Sequence, residues 1–391
     1  MTNLRPLEEW GWTDDATPPI AAYIHVPFCR HRCGYCNFAL LANREDLFER
    51  YVQAIERELS WLETPRPVQT LFLGGGTPSI LPPQHMERFL QSIQKWLPLL
   101  PNGEWSMEAN PLDIHPDSLQ LWFDLGIHRI SIGGQSFQRE KLLRLERDHS
   151  PLQLNQAIAA AREVMRSVSL DLIFAAPGET LASWIDDVEH AISSGIDHLS
   201  TYGLTFEKGA RFWSLREKQL LEPVTEDLEL GMYEHVMDRL THVGWQHYEI
   251  SNFAKPNHRC RHNQAYWNGD SWWAFGPSAA RYVGGVRSVN HRSTLTYLRR
   301  MESNQSPVDD REVLNTDQQL RERFVFGMRQ IEGVPWQLLR QQASESTRYA
   351  IDTALQSHID QGWMQVDGDR VRLTRKGLVL SDGLWHAYLD S

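Results

Sequence analysis

His25-Val26-Pro27-Phe28-Cys29-Arg30-His31-Arg32-Cys33-Gly34-Tyr35-Cys36 places three of the chain's four cysteines within eight residues, directly after a β-rich run from Ala21 to Phe28. That spacing suits an iron–sulfur cluster held on one loop. Three thiolates leave one iron of a [4Fe–4S] cube open to another ligand. Cysteines also form disulfides, bind zinc or sit buried as small apolar groups. A disulfide is the weakest of these readings. Met1 to Thr17 is polar and acidic and lacks the apolar core of a secretory signal, so a reducing, cytoplasmic setting is expected. Zinc would need a fourth ligand, from Cys260 or a histidine.

Outward from this loop, β-rich runs alternate with helical patterns over residues 21–254, the signature of βα units around a parallel sheet. The strands read as Ala21 to Phe28, Val68 to Gly74, Trp105 to Asn110, His128 to Gln135, Val168 to Phe174 and His198 to Phe206. Helices are expected over Arg44 to Leu62, Pro83 to Leu97, Pro116 to Leu125, Leu181 to Ser194 and Thr225 to Val243. In a parallel barrel, motifs at the C-terminal strand ends converge in space. Residues 1–20 form an N-terminal segment, 255–302 a connecting region, and the polar stretch 303–317 reads as a linker. A second domain, 318–391, ends in two short strands joined at Asp367-Gly368-Asp369, then a helix opening near Thr374. This is a small winged-helix-like unit, though a plain α+β cap fits the pattern equally.

The chain has 391 residues and a formal charge of −11, with a pI near 5.8. This is room for a large domain plus a small one, and the acidity argues against nucleic acid as a partner. No apolar run reaches the roughly 20 residues of a membrane-spanning helix. Of 15 tryptophans, Trp245, Trp267, Trp272 and Trp273 crowd one region. They serve core packing or the gripping of a flat ligand.

A second motif, Gly74-Gly75-Gly76-Thr77-Pro78, closes the second strand and lets the backbone approach a ligand closely; a bare glycine turn is the alternative. Other strand ends carry Glu108, Gln135, Arg147 and Asp171. A lone acid near a helix start is more often a cap, so it is the recurrence at successive strand ends that counts. Carboxylates suit ribose hydroxyls and ammonium groups, and Arg147 suits a carboxylate.

These motifs resemble the radical S-adenosylmethionine (SAM) superfamily, whose hallmark is C-x3-C-x-aromatic-C after the first strand of a partial (β/α)6 barrel. The resemblance implies that Cys29, Cys33 and Cys36 ligate a [4Fe–4S] cluster and that SAM chelates the open iron. It implies SAM contacts at Tyr23, Tyr35, Gly75, Gly76 and Thr77. From Tyr23 to Asp382 the chain is similar to a narrower group, the coproporphyrinogen III oxidase-like radical SAM proteins. That group comprises the oxygen-independent oxidase and HemW-type heme chaperones, and the likeness includes the strings from Tyr248 to Ala254 and from Arg321 to Val334. Within it Glu108, Gln135, Arg147 and Asp171 match positions lining the SAM site. Ala175-Ala176 departs from the glycine and leucine often found before Pro177.

Two features separate the branches. The oxidase carries a further cysteine two positions after the third, where this chain has Phe38, as the chaperones do. His262-Asn263-Gln264-Ala265-Tyr266-Trp267 matches the H-N-x-x-Y-W signature associated with heme in the chaperones. Imidazole ligates heme iron and aromatic faces suit a porphyrin, so His262, Asn263, Tyr266 and Trp267 are heme candidates. A loop histidine that merely hydrogen-bonds is the common alternative, and Cys260, His247 and His258 are competing ligands. The resemblance implies a heme chaperone that binds heme and a SAM-liganded cluster and delivers heme to acceptor hemoproteins, respiratory enzymes among them. Peripheral membrane contact and a homodimer are compatible with it. The alternative is an oxygen-independent oxidase that decarboxylates a porphyrinogen.

Overall fold

The computed structural model describes residues 6–389; the first five residues of the N-terminal segment and the last two of the C-terminal domain lie outside the described residues. Six parallel strands form the centre: β1 (Ala21–Val26), β2 (Val68–Gly75), β3 (Leu99–Ala109), β4 (Arg129–Gln135), β5 (Ser167–Phe174) and β6 (His198–Gly203). Each pairs with the next in chain order. Helices Phe48–Ser60, Pro83–Trp96, Pro116–Asp124, Pro151–Val164 and Leu181–Ser193 carry the chain back between them.

Local chemistry sets where these helices begin. Three open on proline, whose missing N–H would have no intrahelical partner there. The Ser150 and Thr180 side chains accept from the Gln153 and Ser183 amides, satisfying donors the helices leave free. Met86, Phe89, Leu90 and Ile93, three or four apart, turn one helix face inward, into the core that also holds Leu71 and Leu73 of β2.

The sheet extends well beyond six strands. After β6 come β7 (Gln246–Glu249), β8 (Asn252–Ala254), β9 (Trp272–Phe275), β10 (Ala280–Val283), β11 (Val286–Asn290) and β12 (Val308–Val313). The strand order is β12-β11-β10-β9-β1-β2-β3-β4-β5-β6-β8-β7. Strand β9 lies parallel to β1, and β10 to β12 follow as an antiparallel meander. The connecting region that carries the H-N-x-x-Y-W string thus also supplies a wing of the sheet, and the stretch read as a linker contains its edge strand. Asp309 to Val313 are all exposed. A short charged edge strand resists pairing with other chains, and its composition is also that of a linker.

Helices Thr316–Gly327, Trp336–Arg340 and Glu345–Asp360 precede a hairpin of β13 (Met364–Asp367) and β14 (Arg370–Leu373). Thr374 then caps the helix Arg375–Val379, its hydroxyl accepting from Gly377 N–H at 3.2 Å. Phe324, Trp336, Ile351, Met364 and Tyr388 give this α+β unit a core of its own.

Candidate cofactor site

The inner face of the sheet encloses one cavity of about 650 Å³, lined by alternate residues of five of the six strands and by two residues of β2. Its walls include Tyr23 and His25 from β1, Phe72 and Gly75 from β2, Ser106 and Glu108 from β3, Arg129 and Ser131 from β4, Ser169 and Asp171 from β5, and Ser200 and Tyr202 from β6. Six adjacent strands can line one space only if the sheet curls around it. A closed (β/α)8 barrel fills that space with bulky branched side chains. Here four serines occupy it, and the interior stays hollow.

The cysteine loop rises from the end of β1. Cys29, Cys33 and Cys36 are part-exposed free thiols, whereas Cys260 is a buried free thiol away from this loop that lines the cavity beside His262. Cys29 Sγ lies 3.2 Å from Thr77 Oγ1, and burial pushes its thiol up to about 12 against that hydrogen bond. Arg147 donates from Nη1 to Cys33 Sγ at 3.6 Å and from Nη2 to the Gly133 carbonyl at 2.8 Å; its Nε is buried without a partner. A Cβ at Gly133 would meet Gln135 Nε2 at 3.2 Å and Arg147 Nη2 at 3.5 Å, so glycine lets both side chains close over the strand end. Tyr35 packs edge-on to Phe212, with ring centroids 6.2 Å apart.

Among the described residues no three His, Cys, Asp or Glu side chains converge on a single-ion site. A cube does not require that, since each thiolate takes a separate iron. Three thiols on one loop beside a guanidinium fit such a cluster, and Cys29, Cys33 and Cys36 would hold it. When bound, it supplies one iron open to a chelating ligand. Cys260, the zinc alternative's fourth ligand, instead donates to Glu104 Oε1 at 3.6 Å and packs with Tyr248 and Ala254.

The cavity wall below this loop is acidic and unusually proton-loving. Gly75 N–H donates to Glu108 Oε2 at 3.0 Å, from a backbone with φ +110° where a Cβ would meet the His25 ring at 2.5 Å. Glu108 is nevertheless pushed up to about 8, by burial first and then by the charge of Asp171. Asp171 accepts from Ser131 Oγ at 3.0 Å, and burial pushes it up to about 6. Gly76 and Thr77 donate their amides to the carbonyls of Val26 and Phe28 at 2.8 and 2.7 Å, which ties the glycine turn to the cysteine loop. His25 has a part that sequence reasoning missed. Its Nε2 bonds the Ala39 carbonyl at 2.9 Å, which can only accept, so Nδ1 accepts from Tyr23 OH at 3.1 Å. It thereby links Tyr23 to the end of the cysteine loop.

A further part of the wall comes from the helix Arg261–Trp267, which packs against β2 and β3. His262, Asn263, Tyr266 and Trp267 line the same cavity as Tyr23, Gly75, Glu108 and Asp171. The His262 ring stacks on Phe72 at 5.1 Å. Its Nδ1 pairs with Thr70 Oγ1 at 3.0 Å and its Nε2 with Tyr266 OH at 2.8 Å. Burial pushes it down to about 3, so the ring is neutral. Both nitrogens are engaged, and as it stands His262 is an aromatic wall. Trp267 and Trp272 border the cavity too, whereas Trp273 is packed between Trp10 and Trp12. His247 stacks on Phe253 and His258 pairs with Ser167, both outside the cavity lining.

A hollow parallel half-barrel, a three-cysteine loop at its mouth and carboxylates beneath define a radical SAM protein. The sequence profile of the Radical SAM superfamily matches residues 23–191, and that of the HemN C-terminal domain residues 314–380. The chain is 30% identical over 375 residues to heme chaperone HemW of Lactococcus lactis, covering 95% of this chain and 97% of that protein. It is 35% identical over 363 residues to heme chaperone HemW of Synechocystis, covering 90% and 87%. Among solved structures, coproporphyrinogen III oxidase (HemN) from Escherichia coli superposes with a TM-score of 0.85 at 20% identity, over 98% of this chain and 92% of that one, a likeness of fold. The chain belongs to the HemW family of heme chaperones.

Proposed function

We propose that this protein is a cytoplasmic heme chaperone. It binds heme beside a SAM-liganded [4Fe–4S] cluster and passes the heme to acceptor hemoproteins. One observation carries the reading: Tyr23, Gly75, Glu108 and Asp171 of the radical SAM motifs line a single cavity with His262, Asn263, Tyr266 and Trp267 of the H-N-x-x-Y-W motif. Cys29, Cys33 and Cys36 are the cluster ligands in this reading. Tyr23, Tyr35, Gly75, Gly76, Thr77, Glu108, Gln135, Arg147 and Asp171 hold SAM; His262, Asn263, Tyr266 and Trp267 contact heme. The flat faces of Phe72, Tyr266, Trp267 and Trp272 match the apolar body of a porphyrin. Phe38, 61% exposed and at the cavity's edge, stands where the oxidase has a cysteine. Among the described residues no helix is long and apolar enough to cross a membrane, which suits delivery by a protein that docks on its acceptor.

The test pairs two measurements on one anaerobically reconstituted preparation. Hemin titration should give saturable binding, and coproporphyrinogen III with SAM and a reductant should be left undecarboxylated. Stoichiometric decarboxylation would replace this reading with the oxidase.

A further inference from the structure

The floor of the cavity holds a charge that the SAM and heme motifs leave unused. Arg129, the first residue of β4, is 4% exposed and lines the cavity. Its Nη1 donates to Ser167 Oγ and to the His258 carbonyl, both at 2.9 Å. Among the described residues its other two nitrogens have no protein hydrogen-bond partner and no carboxylate stands within ion-pair distance, Glu104 and Asp171 acting on it only from farther off. Desolvating a cation is expensive unless an anion answers it. The neighbours that share the floor, Ser106 and Ser169, are small and leave the guanidinium open from above.

We infer that Arg129 is an anion-binding subsite for a carboxylate of the ligand, namely a propionate of the porphyrin. The inference rests on the heme reading above. SAM also carries a carboxylate, but distance separates the two. Arg147 joins the cysteine loop to Gly133, and Gly133 lies four residues up β4 from Arg129, about 13 Å at the rise of a strand. SAM chelated at the cysteine loop would present its carboxylate beside Arg147, at the other end of the strand from Arg129. The propionate arms of a porphyrin are the carboxylates left to reach it, and a guanidinium pairs with a carboxylate through two parallel N–H donors.

The experiment titrates hemin, hemin dimethyl ester and, separately, SAM into the reconstituted full-length protein and its Arg129→Met and Arg129→Lys variants. The parent should prefer the diacid to the ester by about tenfold or more, the effect of one charge-assisted pair. Arg129→Met should lose that preference by weakening hemin more than its ester, Arg129→Lys should keep part of it, and SAM affinity should match the parent's in Arg129→Lys, which retains the charge that Asp171 feels. Equal diacid and ester affinity in the parent, or an undiminished preference in both variants, would overturn the inference while leaving heme binding intact. SAM affinity falling with hemin unchanged would assign the subsite to the methionyl carboxylate and overturn it as well. A parent that binds neither hemin nor its ester would overturn the chaperone reading together with this one.

Discussion

The amide of Gly75 donates to the carboxylate of Glu108 at 3.0 Å, across the pair of strands that carries the glycine turn and the first acid of the cavity. That single hydrogen bond does not offset burial. Glu108 is held up near about 8 and Asp171 near about 6, so the folded chain keeps protons that the unfolded chain releases near about pH 4. The stabilisation is complete below the unfolded values and is lost as pH rises through about 6 and then about 8. Glu108→Gln should therefore flatten the decline of Tm between about pH 5 and 8 in the metal-free protein. A decline as steep as the parent's contradicts the assignment.

Ala175 stands where the family often has glycine, and its φ is +61°. A left-handed alanine costs about 1–2 kcal/mol that glycine does not. Ala175→Gly should stabilise the chain by roughly 1 kcal/mol, read by urea denaturation. Destabilisation would mean that the β5 loop is not held in this conformation.

Lys141 is buried between Glu179 and Asp187. Asp187 also accepts from Ser136 Oγ at 2.7 Å and Phe137 N–H at 2.8 Å, and Glu179 from Ala176 N–H at 2.9 Å. The trio pins the loops after β4 and β5, next to the left-handed Gln135 that ends β4 and the left-handed Ala175 that follows β5. Lys141→Met leaves two buried carboxylates without their cation and should cost about 3–5 kcal/mol. It should also weaken SAM binding measured calorimetrically on whatever fraction remains folded. A loss below about 1 kcal/mol would show that the ion trio is not buried as described.

His262 supports the cavity wall through Phe72, Thr70 and Tyr266. His262→Ala removes an aromatic face and leaves the Thr70 and Tyr266 hydroxyls without their shared partner. Hemin affinity should fall about tenfold, the scale of one lost buried contact. An unaltered affinity and absorption spectrum would remove His262 from the heme site.

The six strands and the helices between them, apart from Pro151–Val164, were legible because each signal is local: apolar spacing, a proline or Ser/Thr cap, a glycine turn. The wing β9–β12 was not. Its strands are short, and β12 is so charged that only its pairing with β11 identifies it as a strand. The cysteine loop and the acids of β3 and β5 announced themselves by motif. Arg129 and Ser131 did not, yet a signal was present. Polar Arg129 and Ser131 alternate with apolar Ile130 and Ile132 before Gly133 and Gln135, whereas strands covered on both faces normally read as continuous apolar runs. Polar alternation inside such a sheet marks a wet interior. The Lys141 trio left no trace in sequence, because its members sit 38 and 46 residues apart and meet only in the fold.

In the function proposed above, three thiolates from one loop hold a cube whose fourth iron is open to SAM. Electron paramagnetic resonance of the dithionite-reduced, anaerobically reconstituted protein, with and without SAM, tests it most directly. A cluster signal should appear, shift on adding SAM, vanish in Cys29→Ser, Cys33→Ser and Cys36→Ser, and persist in Cys260→Ser. A signal indifferent to SAM, or one lost with Cys260→Ser, would contradict it.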